Sequence, residues 1–135
     1  MRLTEYNPMN SSTVSPSGME LVRLSRRAGL IKFNRCASER IGLTEKTQVT
    51  ILQDADNPED WYIYKSVDGF KIMNEKGRGS HMFNNIVICR KLLDSINGDS
   101  KRKILSCSFK IANTPVIIDG KEYWLILTRG KINAK

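Results

Sequence analysis

The chain has 135 residues, of which 40% are apolar and 27% charged, a composition typical of one globular domain rather than a disordered segment. No apolar run is long enough to cross a bilayer and no signal-peptide stretch opens the chain, so we expect a cytoplasmic protein without membrane contact. Three separated cysteines without a CxxC pair, and a single histidine, argue against zinc. We expect no metal and no cofactor.

The net charge of +8 is unevenly placed. Residues 21–50 contain seven basic and two acidic residues, whereas residues 51–70 contain one basic and five acidic residues. The remainder from residue 71 onward is again basic. This alternation predicts one basic face and one acidic loop. A basic face attracts polyanions such as nucleic acid, but a solvated surface with a basic excess would give the same composition.

The first half of the chain has strand periodicity, turn residues and one capped helix. Its predicted elements are a flexible arm at 1–18, strands at 20–25 and 30–33 around an Ala28-Gly29 turn, a helix from Asn34 to Gly42, and strands at 48–53 and 61–65 flanking the acidic loop. Glycine suits the turn because it tolerates positive φ. The asparagine suits an N-cap because its side-chain oxygen accepts a free backbone N–H.

The second half has the same order of elements. Its predicted elements are an Asp68-Gly69 hairpin turn into a strand at 70–73, a strand at 82–83, a helix from Asn84 to Gly98, strands at 104–111, 116–118 and 123–127, and a basic tail at 129–135. His81, next to a turn, is expected to be solvated or packed rather than catalytic. We therefore expect one barrel-like domain over residues 19–128.

A sequence echo separated by fifty residues links the two halves. The segment Gly-Leu-Ile-Lys-Phe-Asn at 29–34 is matched by Gly-Ser-His-Met-Phe-Asn at 79–84, and at the same offset Arg40 matches Arg90. Two such units cannot each bury an apolar face alone, which favours closure on one core. The predicted fold class is therefore α+β and mostly β, with two related ββαβ-type units (about 20–66 and 70–128) closing into one barrel-like domain.

The first unit resembles a known family. Leu-Val-Arg-Leu-Ser-Arg-Arg-Ala-Gly-Leu-Ile-Lys-Phe-Asn at 21–34, Arg-Ile-Gly-Leu-Thr-Glu at 40–45 and Gln-Val-Thr-Ile at 48–51 resemble the swapped-hairpin DNA-binding domains of the SpoVT/AbrB and MazE antitoxin type. Members of that family usually dimerise so that two units interlace. A tandem copy in one chain resembles the related double-psi barrel arrangement.

The resemblance implies a set of DNA-contacting residues. By position these are Arg23, Arg26, Arg27, Lys32 and Arg35 in the first unit, and Lys76 and Arg78 in the second. Met73 and Asn85 stand where the first unit has arginines, so we do not expect the two halves to bind DNA equivalently.

Two functions follow as alternatives. The first is a DNA-binding protein, for example a transcriptional regulator, that uses a basic β-hairpin. The second is a non-enzymatic assembly module whose basic face meets an acidic protein, and the sequence leaves a homo-oligomer open. We expect no enzyme, because no nucleophile–histidine or paired-carboxylate pattern stands out. A continuous basic face would favour nucleic acid, and scattered charge with an apolar patch would favour assembly.

Overall fold

The computed structural model of the protein describes residues 2–3, 19–75, 78–97 and 103–132. Apart from residues 2–3, the arm predicted at 1–18 lies outside the described residues, as does the end of the predicted tail. The elements are β1 (Leu21–Ser25), β2 (Leu30–Phe33), α1 (Arg35–Ile41), β3 (Gln48–Gln53), β4 (Trp61–Ser66), β5 (Phe70–Lys71), β6 (Met73–Asn74), β7 (His81–Asn84), α2 (Ile86–Asn97), β8 (Ser106–Ile111), β9 (Val116–Ile118) and β10 (Lys121–Ile132).

The strands form one antiparallel sheet that nearly closes on itself. Its order is β5-β3-β4-β10-β8-β1-β2-β7-β6, and β9 pairs only with β10. The first and last strands of this path, β5 and β6, are consecutive in the chain and separated only by Ile72. The short segment 70–74 therefore connects both ends of the sheet. The prediction of a mostly β, barrel-like fold is confirmed at this level.

One apolar core fills the barrel and draws on both halves of the chain. Side chains alternate along the strands, so that every second residue points inward. The rings of Phe33 and Phe83 lie 6.4 Å apart between centroids, and the ring of Phe70 lies 4.9 Å from that of Phe83. Phe33 and Phe83 are both buried. Neither helix in the described part of the chain is long and apolar enough to cross a membrane.

One of the two predicted helix caps is confirmed and the other is wrong by one residue. The Asn34 side-chain oxygen accepts a hydrogen bond from the Ala37 N–H at 2.8 Å, and starts α1 as predicted. Asn84, by contrast, still belongs to β7, because it pairs with Leu30 of β2. Asn85 starts α2 instead, its side-chain oxygen accepting from the Ile88 N–H at 3.0 Å.

The predicted hairpin at Asp68-Gly69 is also wrong. The strand after this turn, β5, pairs with β3 and not with the preceding β4. The chain therefore crosses β3, and a Cβ placed on Gly69 would lie 2.2 Å from the Val49 carbonyl oxygen. Glycine is required by this close approach rather than by a hairpin. At the other end of the chain, β10 continues to Ile132, into the segment that the sequence assigned to a tail.

Candidate nucleic-acid interface

The tip of the β1–β2 hairpin, residues 26–29, packs on the start of α2, and we call this contact the first junction. Gly29 has φ 66°. A Cβ on this glycine would lie 2.6 Å from the Ile86 Cα, so only glycine allows the approach. The Asn85 N–H donates to the Gly29 carbonyl oxygen at 2.9 Å. The predicted hairpin therefore exists, but its tip is tied to the protein.

Arg26 provides much of that tie. Its Nε donates to the Ile104 carbonyl oxygen at 2.7 Å, and its Nη2 lies 2.7 Å from Asp94 Oδ1. The residue is only 8% exposed. A buried guanidinium that is satisfied in this way stabilises the hairpin tip against α2. Arg26 therefore has a structural role in the isolated protein.

Arg27, next in the chain, is exposed, and no acidic partner is found for it within the described ranges. Arg23 and Lys32 face each other across β1 and β2. The Arg23 guanidinium donates to the Ser106 and Ser108 hydroxyl oxygens at 3.3 and 3.4 Å. Lys32 Nζ instead lies close to a carboxylate that follows β6, in the hairpin formed by β6 and β7.

That carboxylate is Glu75, 2.7 Å from Lys32 Nζ. The hydrogen bond from Lys32, followed by one from the Ser80 hydroxyl, lowers the pKa of Glu75 below its ordinary value. Glu75 also lies 3.8 Å from Arg78 Nη1. One carboxylate thus connects a cation of the first hairpin with a cation of the second.

The turn between β6 and β7 lies against the start of α1, and we call this contact the second junction. Arg35, the first residue of α1, runs over Gly79: a Cβ on Gly79 would lie 3.0 Å from the Arg35 Cγ. The Arg35 Nε lies 3.0 Å from Glu39 Oε1. The side chains of Arg35 and Arg78 are 73% and 74% exposed. Ion pairs this exposed contribute little to stability, so both guanidiniums can exchange partners.

A cleft of about 350 Å³ opens at the second junction. It is lined by Arg35, Ser38, Glu39, Leu43, Arg78, Gly79 and His81. The structure therefore brings together two predicted contact residues from different halves of the chain, separated by more than forty positions in sequence.

His81 forms part of the cleft, and the sequence analysis did not assign it a role. The residue is 7% exposed, and within the described part of the chain its Nδ1 has no hydrogen-bond partner. Burial lowers the pKa of the His81 imidazole and outweighs the Gly79 backbone carbonyl and the Glu45 carboxylate, which act in the opposite direction, so the ring is neutral near neutral pH. A buried polar atom without a partner costs about 1–3 kcal/mol. The fifty-residue sequence repeat could have identified this residue, because His81 stands where the first half has the apolar Ile31.

The predicted contact residues thus fall into four groups. Arg23 and Lys32 lie side by side, Arg35 and Arg78 converge at the cleft, Arg27 is exposed at a tip, and Arg26 is buried. Lys76 lies outside the described residues. No group of three or more histidine, cysteine or acidic side chains that could hold a metal ion occurs in the described ranges.

An apolar surface lies elsewhere on the molecule. All three residues of β9 are exposed, with Ile117 59% exposed. Beside this strand is a second cleft of about 350 Å³, lined by Leu52, Gln53, Asp54, Tyr62, Val116, Ile118 and Tyr123. Three consecutive exposed aliphatic residues on a short strand are a feature of contact surfaces.

Comparison with known proteins gives no relative from which a function could be transferred: no family model, no curated protein and no solved structure matches the chain.

Proposed function

We propose that the protein binds DNA through the outer surface along β2. The observation that carries this proposal is that cations follow β2 from end to end, exposed at both ends of the row and half-buried in its middle. Arg27 precedes the strand, Lys32 with Arg23 beside it lies in the middle, and Arg35 with Arg78 beside it follows the strand. At about 3.3 Å per residue, the eight steps from Arg27 to Arg35 span at most about 26 Å, which is long enough to contact several successive phosphates.

The carboxylates at the exposed end of the row do not prevent binding, whereas the half-buried Lys32–Glu75 pair, 2.7 Å apart, must separate before Lys32 can contact phosphate. Exposed pairs such as Arg35 with Glu39 contribute about 0–1 kcal/mol, so phosphate oxygens can replace the carboxylate. Arginine also contacts phosphate and guanine edges through two parallel hydrogen bonds, which allows both positioning and sequence readout. Arg26 is excluded from the proposed contacts, because its guanidinium already serves the first junction.

We further propose that the two halves are tandem units of the swapped-hairpin type. Support comes from the strand pairing. The β1–β2 hairpin lies between β8 and β7 of the second half, and the β5–β6–β7 segment lies between β2 and β3 of the first half. The glycines at the two tips have similar left-handed conformations, with φ 66° at Gly29 and 70° at Gly79. A two-fold related pair of interlaced units accounts for both observations.

Fluorescence anisotropy with random duplex DNA at two salt concentrations tests the DNA proposal. Affinity should fall with salt by about 0.9 log unit per phosphate contact for each log unit of salt. The double variant Arg35→Ala with Arg78→Ala should flatten that slope by about two contacts. Arg129→Ala, an exposed arginine of β10, is the matched control and should leave the slope unchanged. If the parent protein does not bind at low salt, or the double variant binds equally well, the proposal is wrong.

The apolar β9 strand supports a second candidate function, assembly with another protein. Exposed Val116, Ile117 and Ile118 would be covered in such a complex. Sedimentation of the parent and of Ile117→Lys distinguishes the candidates. Assembly with a second copy predicts a concentration-dependent oligomer that the variant abolishes, and a monomer at all concentrations would count against it.

A further inference from the structure

The two junctions can be compared residue by residue, because the β2–β7 pairing is reciprocal. Ile31 pairs with Phe83, and Phe33 pairs with His81, so Ile31 and His81 hold equivalent places on the two strands. The helices correspond as well. The Ser38 N–H donates to the carbonyl oxygen of the cap Asn34, and the Cys89 N–H donates to that of the cap Asn85. Ser38 is therefore the counterpart of Cys89, and Arg35 that of Ile86.

At the first junction these positions hold apolar side chains and pack closely. Ile31 is 2% exposed, and Cys89 is fully buried with its Sγ 3.7 Å from the Leu30 carbonyl oxygen. The backbone joins the tip to the helix through the Asn85 N–H and the Gly29 carbonyl oxygen. The backbones of the tip and the helix are therefore in close contact, with a Cβ on Gly29 only 2.6 Å from the Ile86 Cα.

At the second junction the same positions are polar, and the tip contacts the helix through the Arg35 side chain beside the cleft. Arg35, Ser38 and His81 replace the isoleucine, cysteine and isoleucine of the first junction. The Asn34 N–H donates to the Leu21 carbonyl oxygen, not to the tip glycine. Two exposed guanidiniums, a hydroxyl and a buried imidazole with an unpartnered Nδ1 therefore line one concave site.

We propose that this cleft binds the phosphoryl group of a phosphate ester or free phosphate. Arg35 and Arg78 neutralise and hydrogen-bond its oxygens, and His81 donates from Nδ1. A tetrahedral oxyanion presents acceptors in several directions, which matches donors that converge from a helix, a turn and a strand. Glu39 and Glu75 hold the two arginines when the site is empty, and the ligand competes with them.

The cleft would bind phosphate whether or not the chain binds DNA. A mononucleotide, another phosphate ester and a DNA backbone all carry the same oxyanion, and the experiment below separates them.

The test uses the intact protein and its single histidine, whose imidazole gives one set of ring resonances. Inorganic phosphate is titrated at constant ionic strength, with acetate as the control anion. We expect a saturable shift of the His81 ring signals with phosphate and no comparable shift with acetate. No saturable phosphate shift, or an equal response to acetate, would overturn the proposal.

Variants that copy the first junction sharpen the test. Arg35→Ile and Arg78→Ala should each weaken phosphate binding about tenfold. Glu39→Gln removes the competing carboxylate and should tighten it, an opposite sign that a loss of folding cannot imitate. Arg129→Ala, at an exposed arginine of β10 outside the cleft, is the matched control and should bind phosphate as the parent does. Arg35→Ile and Arg78→Ala variants that bind like the parent would contradict the assignment.

His81→Ile, which copies Ile31, should abolish binding measured by titration calorimetry while the variant still unfolds cooperatively. If the His81→Ile variant binds phosphate with the affinity of the parent, His81 has no part in the site and the proposal is wrong.

Two further probes identify the source of the phosphate. If duplex DNA shifts the His81 signals and free phosphate reverses the shift, the site takes the nucleic-acid backbone. If a nucleoside monophosphate shifts the signals, and duplex DNA neither shifts them nor binds in the anisotropy assay, the site takes a small ester and the DNA proposal fails while the phosphate proposal stands. If duplex DNA binds but no phosphate probe shifts the His81 signals, the phosphate proposal fails while the DNA proposal stands.

Discussion

The two junctions of this barrel each bring a glycine-containing tip to the start of a helix, and they differ in their backbone hydrogen bonds and in their side chains. At the first, the hairpin tip is fastened to α2 by Arg26 and by a backbone hydrogen bond, and apolar residues fill the contact. At the second, the equivalent positions are polar and line a cleft. The buried polar residue His81 lies at the junction that has the cleft, and this difference is the reason why we propose the ligand site there. Packing alone would favour an apolar residue there, as at Ile31.

The largest expected losses of stability come from replacing the phenylalanine that each half contributes to the shared core. Phe33→Ala and Phe83→Ala should each lower the free energy of unfolding by about 3–5 kcal/mol, because both rings fill the shared core. Urea denaturation measures this. Leu127→Ala, at a partly exposed residue of β10, is the control and should cost much less. If one phenylalanine can be replaced at little cost, the two halves do not contribute equally to the core.

Within the first junction, neighbouring arginines should behave differently. Arg26→Ala should lower the free energy of unfolding by about 2–3 kcal/mol, since it removes charge-assisted hydrogen bonds to Ile104 and Asp94 in a buried place. Arg27→Ala should stay within about 0.5 kcal/mol of the parent and weaken DNA binding instead. Thermal unfolding and anisotropy on the same preparations separate the two. Equal destabilisation by both variants would show that Arg26 does not stabilise the first junction more than Arg27 does.

The helix caps should differ by one position between the halves. Asn34→Ala and Asn85→Ala should each cost about 1 kcal/mol, because each side-chain oxygen accepts an N–H at the start of its helix. Asn84→Ala should cost less, as this residue ends a strand. Equilibrium unfolding of the three variants provides the ranking, and a larger loss at Asn84 than at Asn85 would place the cap where the sequence first suggested.

The smallest expected effect is a pH dependence confined to the second junction. Burial lowers the pKa of His81 in the folded protein, so between that value and the ordinary one near 6.5 the unfolded chain binds more protons. The protein should therefore lose stability as the pH falls below about 6.5. His81→Ile should remove this part of the loss, as seen by comparing unfolding free energies at two pH values. An unchanged pH dependence in the variant would show that another group is responsible.

Local structure followed from local sequence in most of the first half. The alternation of residues 48–53 predicted β3 with its observed bounds, and the glycine turn predicted the β1–β2 hairpin. These predictions succeeded because strand alternation and turn geometry depend on neighbours within a few residues. The Asn84 cap failed for the opposite reason. Its pairing with Leu30, more than fifty positions away, keeps it in the strand.

The sequence by itself determined a basic, mostly β chain, the β1–β2 hairpin and the cap at Asn34. Only the tertiary structure decided which strand β5 joins. After β4 the chain crosses β3, and β5 pairs with the far edge of β3, which closes the barrel. It also decided which cations are free. Arg26 and Arg27 are adjacent and identical in chemistry, yet one is buried against α2 and the other is exposed. Charge is a property of the residue, but its availability depends on the groups that the fold places around it.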